Sequence, residues 1–191
     1  MRKRVLLIGS LVLLACPGFA LAQAYGPRGQ PTLSQLEDRF AGIAEQQFVP
    51  AADAMPEEKY SFAPTNGEFR KVRTFGDMVK HVAVSNYGMA GAILHEKPPV
   101  KLDTQSDLDS IRTKADIMAF LKGSFAYLHK ALSSITEKNQ TDLIRSPDSD
   151  EPLARLEVAD RALWHSNNHY GQLVMYLRMN GIVPPASRHA S

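Results

Sequence analysis

The chain has almost no cysteine: Cys16 is the only one among 191 residues, and it lies in an apolar stretch near the N-terminus. That stretch follows Arg2-Lys3-Arg4 and precedes Ala20-Leu21-Ala22, an order typical of a secretory signal peptide with a small-residue cleavage site. We predict that residues 1–22 are removed, leaving a mature chain without cysteine. Disulfides, thiolate ligands and a cysteine nucleophile are then excluded, so the chemistry must come from histidines, carboxylates, hydroxyls and amides.

A bacterial lipoprotein box is the second interpretation of this segment, because Leu13-Leu14-Ala15-Cys16 resembles one in which the cysteine is acylated. Leu14 and the following Pro17 match that box poorly, so lipid anchoring through Cys16 is the less favoured alternative. The apolar stretch is also too short to cross a membrane as a helix. We therefore expect an exported protein, periplasmic or extracellular, with no transmembrane helix in its mature chain.

The sequence also lacks a large excess of charge and several well-known catalytic motifs. It carries 22 basic and 20 acidic residues, and loss of the three basic residues of the signal leaves a net charge of −1. A nucleic-acid-binding surface is therefore not expected. GxSxG, a phosphate-binding glycine-rich loop, the CxxCH of haem attachment and the glutamate–histidine pairs of di-iron bundles are absent, and these classes are set aside.

Four stretches with apolar residues at helical spacing follow a flexible leader at residues 23–31. They predict helices over about 33–55, 75–94, 114–135 and 153–180, and no alternating strand pattern is evident. The fold class is therefore all-α, a four-helix bundle over residues 32–187 with long connections between the helices. The first helix should loosen near Pro50. Its core-facing stripe is predicted to consist of Leu33, Leu36, Phe40, Ile43 and Phe48.

His165 and His169, in the fourth helix, are the most informative residues. Four residues of a helix turn through about 400°, so the two imidazoles lie one turn apart on one face and could chelate one metal ion. Gln172 and Tyr176 fall on the same face, which is predicted to turn towards the core. Ser166 stands where the HExxH zinc proteases have glutamate, so that motif is excluded. Two histidines also make an incomplete site, because catalytic zinc normally takes three protein ligands.

His81, in the second helix, is the candidate third ligand. Of its neighbours at helical spacing, Ser85, Gly88 and Ala92 are small, which leaves room for a ligand or substrate beside a core-facing histidine. Two other interpretations stay open at this point: a hydrogen-bonded core histidine for His81, and a polar seam for the histidine pair. We predict that the remaining histidines are not ligands: His95 at a helix end, where an imidazolium would favour the helix dipole, His129 near a solvent edge, and His189 in the tail.

Several segments accompany these histidines: residues 54–64 after the first helix, 74–81 at the start of the second, and 165–172, 176–178 and 181–185 in and after the fourth. In order and spacing they resemble the DinB/YfiT-like superfamily of metal-binding four-helix bundles. The resemblance implies that His81, His165 and His169 bind one divalent metal. Characterised relatives include thiol-dependent transferases and isomerases that use mycothiol or bacillithiol. Those thiols are cytoplasmic, whereas this chain carries a predicted export signal.

An enzyme is the first functional interpretation: a mononuclear metal-dependent hydrolase or transferase acting on a small molecule. Three neutral imidazoles would leave a metal ion its full charge and an open position, with zinc, nickel or iron as candidates. Asn168, Gln172 and Tyr176 are predicted to orient water or substrate from around the ligands. No sequence feature identifies a general base, because Glu157 and Asp160 project away from the histidine face.

A non-catalytic metal-binding or ligand-binding module is the alternative interpretation. A metal that ties the second helix to the fourth would stabilise the bundle by linkage without any turnover. Access to the metal distinguishes the two, since an open site favours catalysis and a closed one favours the structural role. Pairing of the chain as a homodimer through its helices is a further expectation.

Overall fold

The computed structural model describes Gly29 and residues 31–101 and 108–188. Backbone contacts divide the chain into two units, Met1–Pro31 and Thr32–Ser191. Gly29 and Pro31, the described residues of the first unit, are exposed and irregular. The predicted signal peptide with Cys16, almost all of the leader and His189 lie outside the described residues.

Four long helices account for most of the described part of this unit, as predicted: α1 Leu33–Ala54, α2 Phe75–Leu94, α3 Lys114–Ser133 and α4 Arg155–Met179. Short 3-10 turns follow α1 at Glu57–Lys59 and α4 at Pro185–Ser187. A threonine caps each of the first three helices and accepts a hydrogen bond from the backbone N–H three residues on: Thr32, Thr74 and Thr113. Such caps satisfy N–H groups that the first turn leaves free, which fixes where each helix begins.

One two-residue strand pair corrects the prediction that the chain has no strands. β1 Leu143–Ile144 pairs antiparallel with β2 Leu153–Ala154, and β2 leads directly into α4. Two residues are too few to produce an alternating pattern that could be detected in the sequence. The pair closes the loop 145–152 and thereby holds that loop beside the start of α4.

Helices α2 and α3 run in the same direction. The start of α2 packs on the start of α3, where Gly76 meets Ile117, and further along both helices the Asn86 amide donates to the Ser124 hydroxyl at 3.3 Å. Because neighbouring parallel helices need a return along the whole bundle, the connection between them, residues 95–113, must be long. The predicted long connections therefore follow from the topology.

Helix α4 runs opposite to α2, so the end of α4 lies beside the start of α2. The Tyr176 hydroxyl donates to the Arg73 carbonyl at 3.2 Å, whereas the Ser166 hydroxyl, nearer the start of α4, donates to the Asn86 amide oxygen at 3.2 Å. Helix α1 packs on α3 and α4 from the other side. The seam between α2 and α4 is where the predicted histidines lie.

The predicted core stripe of α1 is wrong for three of its five members. Leu36, Phe40 and Ile43 are 37%, 56% and 51% exposed, whereas Phe48 is buried as predicted and Leu33 packs partly buried against the core. The helix buries mainly small residues: Ala41, Ala44, Ala51 and Ala52. Small side chains let α1 approach the other helices closely. The predicted stripe was selected for its large apolar residues, and it therefore does not coincide with the alanine-lined face that is buried. The helix continues through Pro50 and ends at Ala54.

Helix α3 buries large apolar residues at helical spacing, among them Ile117, Phe125 and Leu132. Among the described residues, no helix is both long and apolar enough to span a membrane.

Candidate metal centre

The three predicted histidines meet across the seam between α2 and α4. His81 lies in the second turn of α2, and His165 and His169 lie one turn apart on α4. His169 is 8% exposed, whereas His81 and His165 are half-buried. Because α2 and α4 run antiparallel, the single histidine of one helix faces the pair of the other. The prediction that both α4 histidines turn inward fits this placement.

The imidazole rings converge on one point. The Nε2 atoms of His81 and His165 are 3.0 Å apart, and the ring centroids lie 4.8 Å (His81–His165), 4.9 Å (His81–His169) and 4.5 Å (His165–His169) apart. One ligand nitrogen from each residue can be chosen so that all three lie within 4.8 Å of one another. Two nitrogens bound to one zinc ion at about 2.0–2.1 Å are separated by roughly 3 Å, which the closest pair already satisfies.

The surroundings hold all three imidazoles in the neutral form. Burial lowers the pKa of His81 to about 4, and the positive charge of Arg73 and the other two imidazoles act in the same direction. Burial also lowers the pKa of His165 to about 4, assisted by His169 and Arg73 and opposed by Asp148. The pKa of His169 is lowered by burial and by Arg73, against a contact with Gln172 that raises it. Neutral imidazole is the form that binds metals.

Unsatisfied nitrogen atoms provide a test of whether the group fits a metal. The Nδ1 atoms of His165 and His169 are buried, and the described residues provide neither with a hydrogen-bond partner. The facing Nε2 atoms of His81 and His165 can share only one proton between them. A buried polar group without a partner costs about 1–3 kcal/mol. A cation held by His81 and His165 through Nε2 would relieve the repulsion between the facing lone pairs of these two atoms, and three imidazoles are a donor set that zinc, nickel and iron accept.

The three residues predicted around the ligands differ in their placement. Gln172 is exposed and near enough to His169 to affect its pKa. Asn168 is exposed. The Tyr176 hydroxyl donates to the Arg73 carbonyl, and its ring packs edge-on against Phe62 with centroids 5.6 Å apart. Tyr176 therefore supports the loop before α2.

Arg73, Ser85 and Asp148 are neighbours of the histidines that the sequence did not reveal. Ser85, one turn after His81, has its hydroxyl 3.5 Å from His165 Nε2. Helical spacing places Ser85 beside His81, but it does not predict this contact with His165 across the seam. Arg73 precedes α2 and Asp148 lies in the loop closed by β1 and β2, so neither belongs to a helix whose periodicity could place it.

The remaining described histidines, His95 and His129, have hydrogen-bond partners outside the triad. His129 lies between the carboxylates of Asp38 and Glu45, at 2.6 and 3.3 Å. His95 accepts a hydrogen bond at 2.8 Å from Arg155. Arg155 also donates to the Ile93 carbonyl and so brings a positive charge to the end of α2.

Comparison with known proteins agrees with this architecture. The family model for the DinB superfamily matches residues 42–173, a range that contains all three histidines, and the chain belongs to that superfamily. No curated protein matches the chain.

Solved structures share the fold at low sequence identity. A conserved protein of Enterococcus faecalis is 17% identical, with a TM-score of 0.63 over 78% of this chain and 98% of that one. The DinB-like protein YjoA of Bacillus subtilis is 17% identical, with a TM-score of 0.58 over 76% and 92% of the two chains. A DinB-like protein of Bacillus cereus is also 17% identical, with a TM-score of 0.58 over 75% and 90%.

Proposed function

We propose that this chain is an exported protein of the DinB superfamily that binds one divalent transition metal through His81, His165 and His169, and that it hydrolyses or transfers a group of a small molecule. The convergence of three neutral imidazoles from two helices carries the proposal. An imidazole triad without a carboxylate leaves the charge of the ion uncompensated, so the ion can act as a Lewis acid.

In this proposal the three histidines bind the ion, and Gln172 contacts the ligand. His81, His165 and His169 hold the ion, and their burial keeps protons from competing for the same nitrogens at neutral pH. Half-exposure of His81 and His165 leaves the solvent side of the seam open to a small ligand. Gln172, which is exposed beside His169, can present its amide to that ligand and orient it.

A first experiment concerns the metal. Mature protein would be purified, loaded with zinc, nickel or ferrous ion and freed of excess, and its metal content measured by elemental analysis. We expect one ion per chain in the wild type and none in His165→Ala. Absence of stoichiometric metal in reconstituted wild-type protein would remove the proposal.

A second experiment separates catalysis from a structural role. A non-catalytic metal module is supported by the site's position across α2 and α4, where an ion would join two helices. Cobalt-substituted protein has a visible spectrum that depends on its ligands. We expect that spectrum to change when small ligands such as azide are added, because an open position exchanges its water. A spectrum insensitive to every added ligand, with no turnover of chromogenic esters, phosphoesters or thiol-transfer substrates, would favour the structural module.

Export has its own test. N-terminal sequencing of the protein from a periplasmic fraction should begin at Gln23 if residues 1–22 are removed. A chain that retains Met1 in the cytoplasm would contradict export and would restore the cytoplasmic thiols as candidate substrates.

A further inference from the structure

Large apolar side chains are exposed at the end of the bundle where α4 ends and α2 begins. Met175 and Met179, one turn apart on α4, are 55% and 49% exposed, and Val183, in the segment after α4, is 56% exposed. In the connection before α2, Phe69 and Val72 are 43% and 36% exposed. Single exposed apolar residues are ordinary on a protein surface, but a group of them marks an interaction site.

A hydrogen bond places the connection before α2 against the end of α4. The Tyr176 hydroxyl donates to the carbonyl of Arg73, the residue that follows Val72, at 3.2 Å. Met179 lies three residues beyond Tyr176, on the same flank of α4. Residues 69–73 therefore lie beside the exposed methionines of α4.

The segment after α4 extends the same surface. Val183 and Arg178 line a common cavity of about 280 Å³, and the Arg188 Nε donates to the Val183 carbonyl at 3.1 Å. Arg178 lies three residues beyond Met175 and so neighbours it on the helix. The basic–apolar surface consists of residues 69–73 and of five residues in and after α4: Met175, Arg178, Met179, Val183 and Arg188.

Positive charge is concentrated on the basic–apolar surface. Its lysines and arginines are all exposed: Arg70, Lys71, Arg73, Arg178 and Arg188. Glu68, at its border, pairs with Arg70 at 3.1 Å. The whole chain is almost neutral, with 22 basic and 20 acidic residues, so this excess of positive charge is local. Such an excess attracts a negatively charged partner.

We propose that the basic–apolar surface attaches the protein to a bilayer that contains anionic lipids. Anionic headgroups complement lysine and arginine, and the boundary between headgroups and acyl chains accepts the apolar side chains beside them. A protein interface would instead gather apolar residues in a core that is poor in charge. In residues 69–73 each apolar residue is next to a basic one in the sequence. The surface contains no metal ligand, so this inference is independent of the proposed metal site.

The charge of the surface is tested by co-sedimentation of the chain from Gln23 with vesicles of phosphatidylglycerol and phosphatidylcholine, or of phosphatidylcholine alone. We expect binding to the anionic vesicles that weakens as salt is added, and at least about tenfold weaker binding to the neutral ones. Lys71→Gln with Arg178→Gln should weaken binding to anionic vesicles by at least about tenfold. Lys122→Gln with Lys138→Gln changes the net charge equally at exposed positions outside the surface, and should bind as the wild type does.

The apolar residues of the surface have a matched control on α1. Met175→Ser with Met179→Ser should weaken binding to anionic vesicles by at least about tenfold, because less apolar surface leaves water. Phe40 and Ile43 of α1 are 56% and 51% exposed, but residues 36–43 carry two carboxylates and one arginine. Phe40→Ser with Ile43→Ser should therefore bind as the wild type does.

Tryptophan fluorescence reports whether the surface enters the bilayer. Trp164 is the only tryptophan of the chain, so Phe69→Trp in a Trp164→Phe background carries a single probe at the surface. We expect its emission to shift to the blue on anionic vesicles, and an unshifted emission would overturn the inference. Absence of vesicle binding by the wild type, or equal binding by the Lys71/Arg178 variant and its control, would overturn it and leave the metal site intact. A dimer in light scattering that the methionine changes abolish would also overturn it, since a second copy would then cover this surface.

Discussion

Two histidine clusters on opposite sides of the bundle show how surroundings decide what an imidazole can do. The triad joins α2 to α4, and its rings face one another, with Arg73 and burial lowering the pKa of each. His129 joins α3 to α1, and each of its nitrogens faces a carboxylate, Asp38 at 2.6 Å and Glu45 at 3.3 Å. Residue type and helical setting are the same, but the neighbouring charges have opposite signs.

The two clusters differ in whether their imidazole nitrogens have carboxylate partners. Both nitrogens of His129 lie within hydrogen-bond distance of carboxylates, so its ring cross-links two helices and both of its polar atoms have protein partners. The triad rings have no carboxylate in hydrogen-bond contact among the described residues, and two of their nitrogens have no partner. A histidine link and a histidine ligand site are therefore distinguished by the charges of the facing residues, which spacing along one helix does not reveal.

Removing one histidine from each cluster should give the largest contrast. We expect His169→Ala to lower zinc affinity by at least about 100-fold, because two ligands cannot hold the ion as three do. His129→Ala should bind zinc as the wild type does. Calorimetric titration of both proteins measures the effect, and equal losses in the two variants would mean that the clusters are not functionally distinct.

Introducing a carboxylate into the triad should make it resemble the His129 cluster. Ser85 has its hydroxyl 3.5 Å from His165 Nε2, so Ser85→Asp places a negative charge against that ring. We expect the pKa of His165 in the metal-free protein to rise by about 1–3 units from its lowered value. Titration of the imidazole NMR signals measures this. Ser133→Asp, at an exposed position of α3, is the control and should leave that pKa unchanged.

The triad should also make metal-free protein sensitive to acid. His81 and His165 have folded-state pKa values of about 4, below the ordinary 6.5, so the unfolded chain binds more protons between these two values. The free energy of unfolding should therefore be fully present above about pH 6.5 and fall as the pH decreases towards 4. Urea denaturation with a chelator present measures the slope. His81→Ala should reduce the slope, and His129→Ala should not affect the part due to the triad.

The smallest expected effect is on the other cluster. His129→Ala removes a half-exposed link between α1 and α3, and such pairs contribute on the order of 1 kcal/mol to the free energy of unfolding. Urea denaturation at neutral pH measures the loss, and the double variant with Asp38→Ala should lose less than the two single changes added together. Full additivity would show that the 2.6 Å contact contributes nothing.

Sequence reasoning recovered the parts of the fold that depend on local periodicity. The bounds of α2, the start of α3 and the inward placement of His165 and His169 follow from apolar residues at helical spacing and from the turn of a helix. The core face of α1 was missed because alanines form it, and large side chains at the same spacing lie on the exposed side. Residue size alone does not show which of two faces is buried.

The site was recovered less completely than the fold. His81, His165 and His169 could be predicted from local patterns. Helical spacing places His165 and His169 on one face of a helix, and small residues flank His81 at the same spacing. Arg73 and Asp148 could not be predicted, because each lies in a connection whose path depends on contacts distant in sequence. Burial has the largest effect on the pKa of the three imidazoles, and these charges modify it once the helices are packed.

The distance along the chain between the facing histidines has a mechanical consequence. His81 and His165 are 84 residues apart in sequence, and α3 with both long connections lies between them. An ion that stays bound to both histidines would close the chain between them into a loop, even in molecules that have begun to unfold. Closing a loop of this length removes about 4.6 kcal/mol of chain entropy from the denatured state, by the same relation that describes disulfide-closed loops. In a region without cysteine, three imidazoles and one ion would take the place of a covalent cross-link.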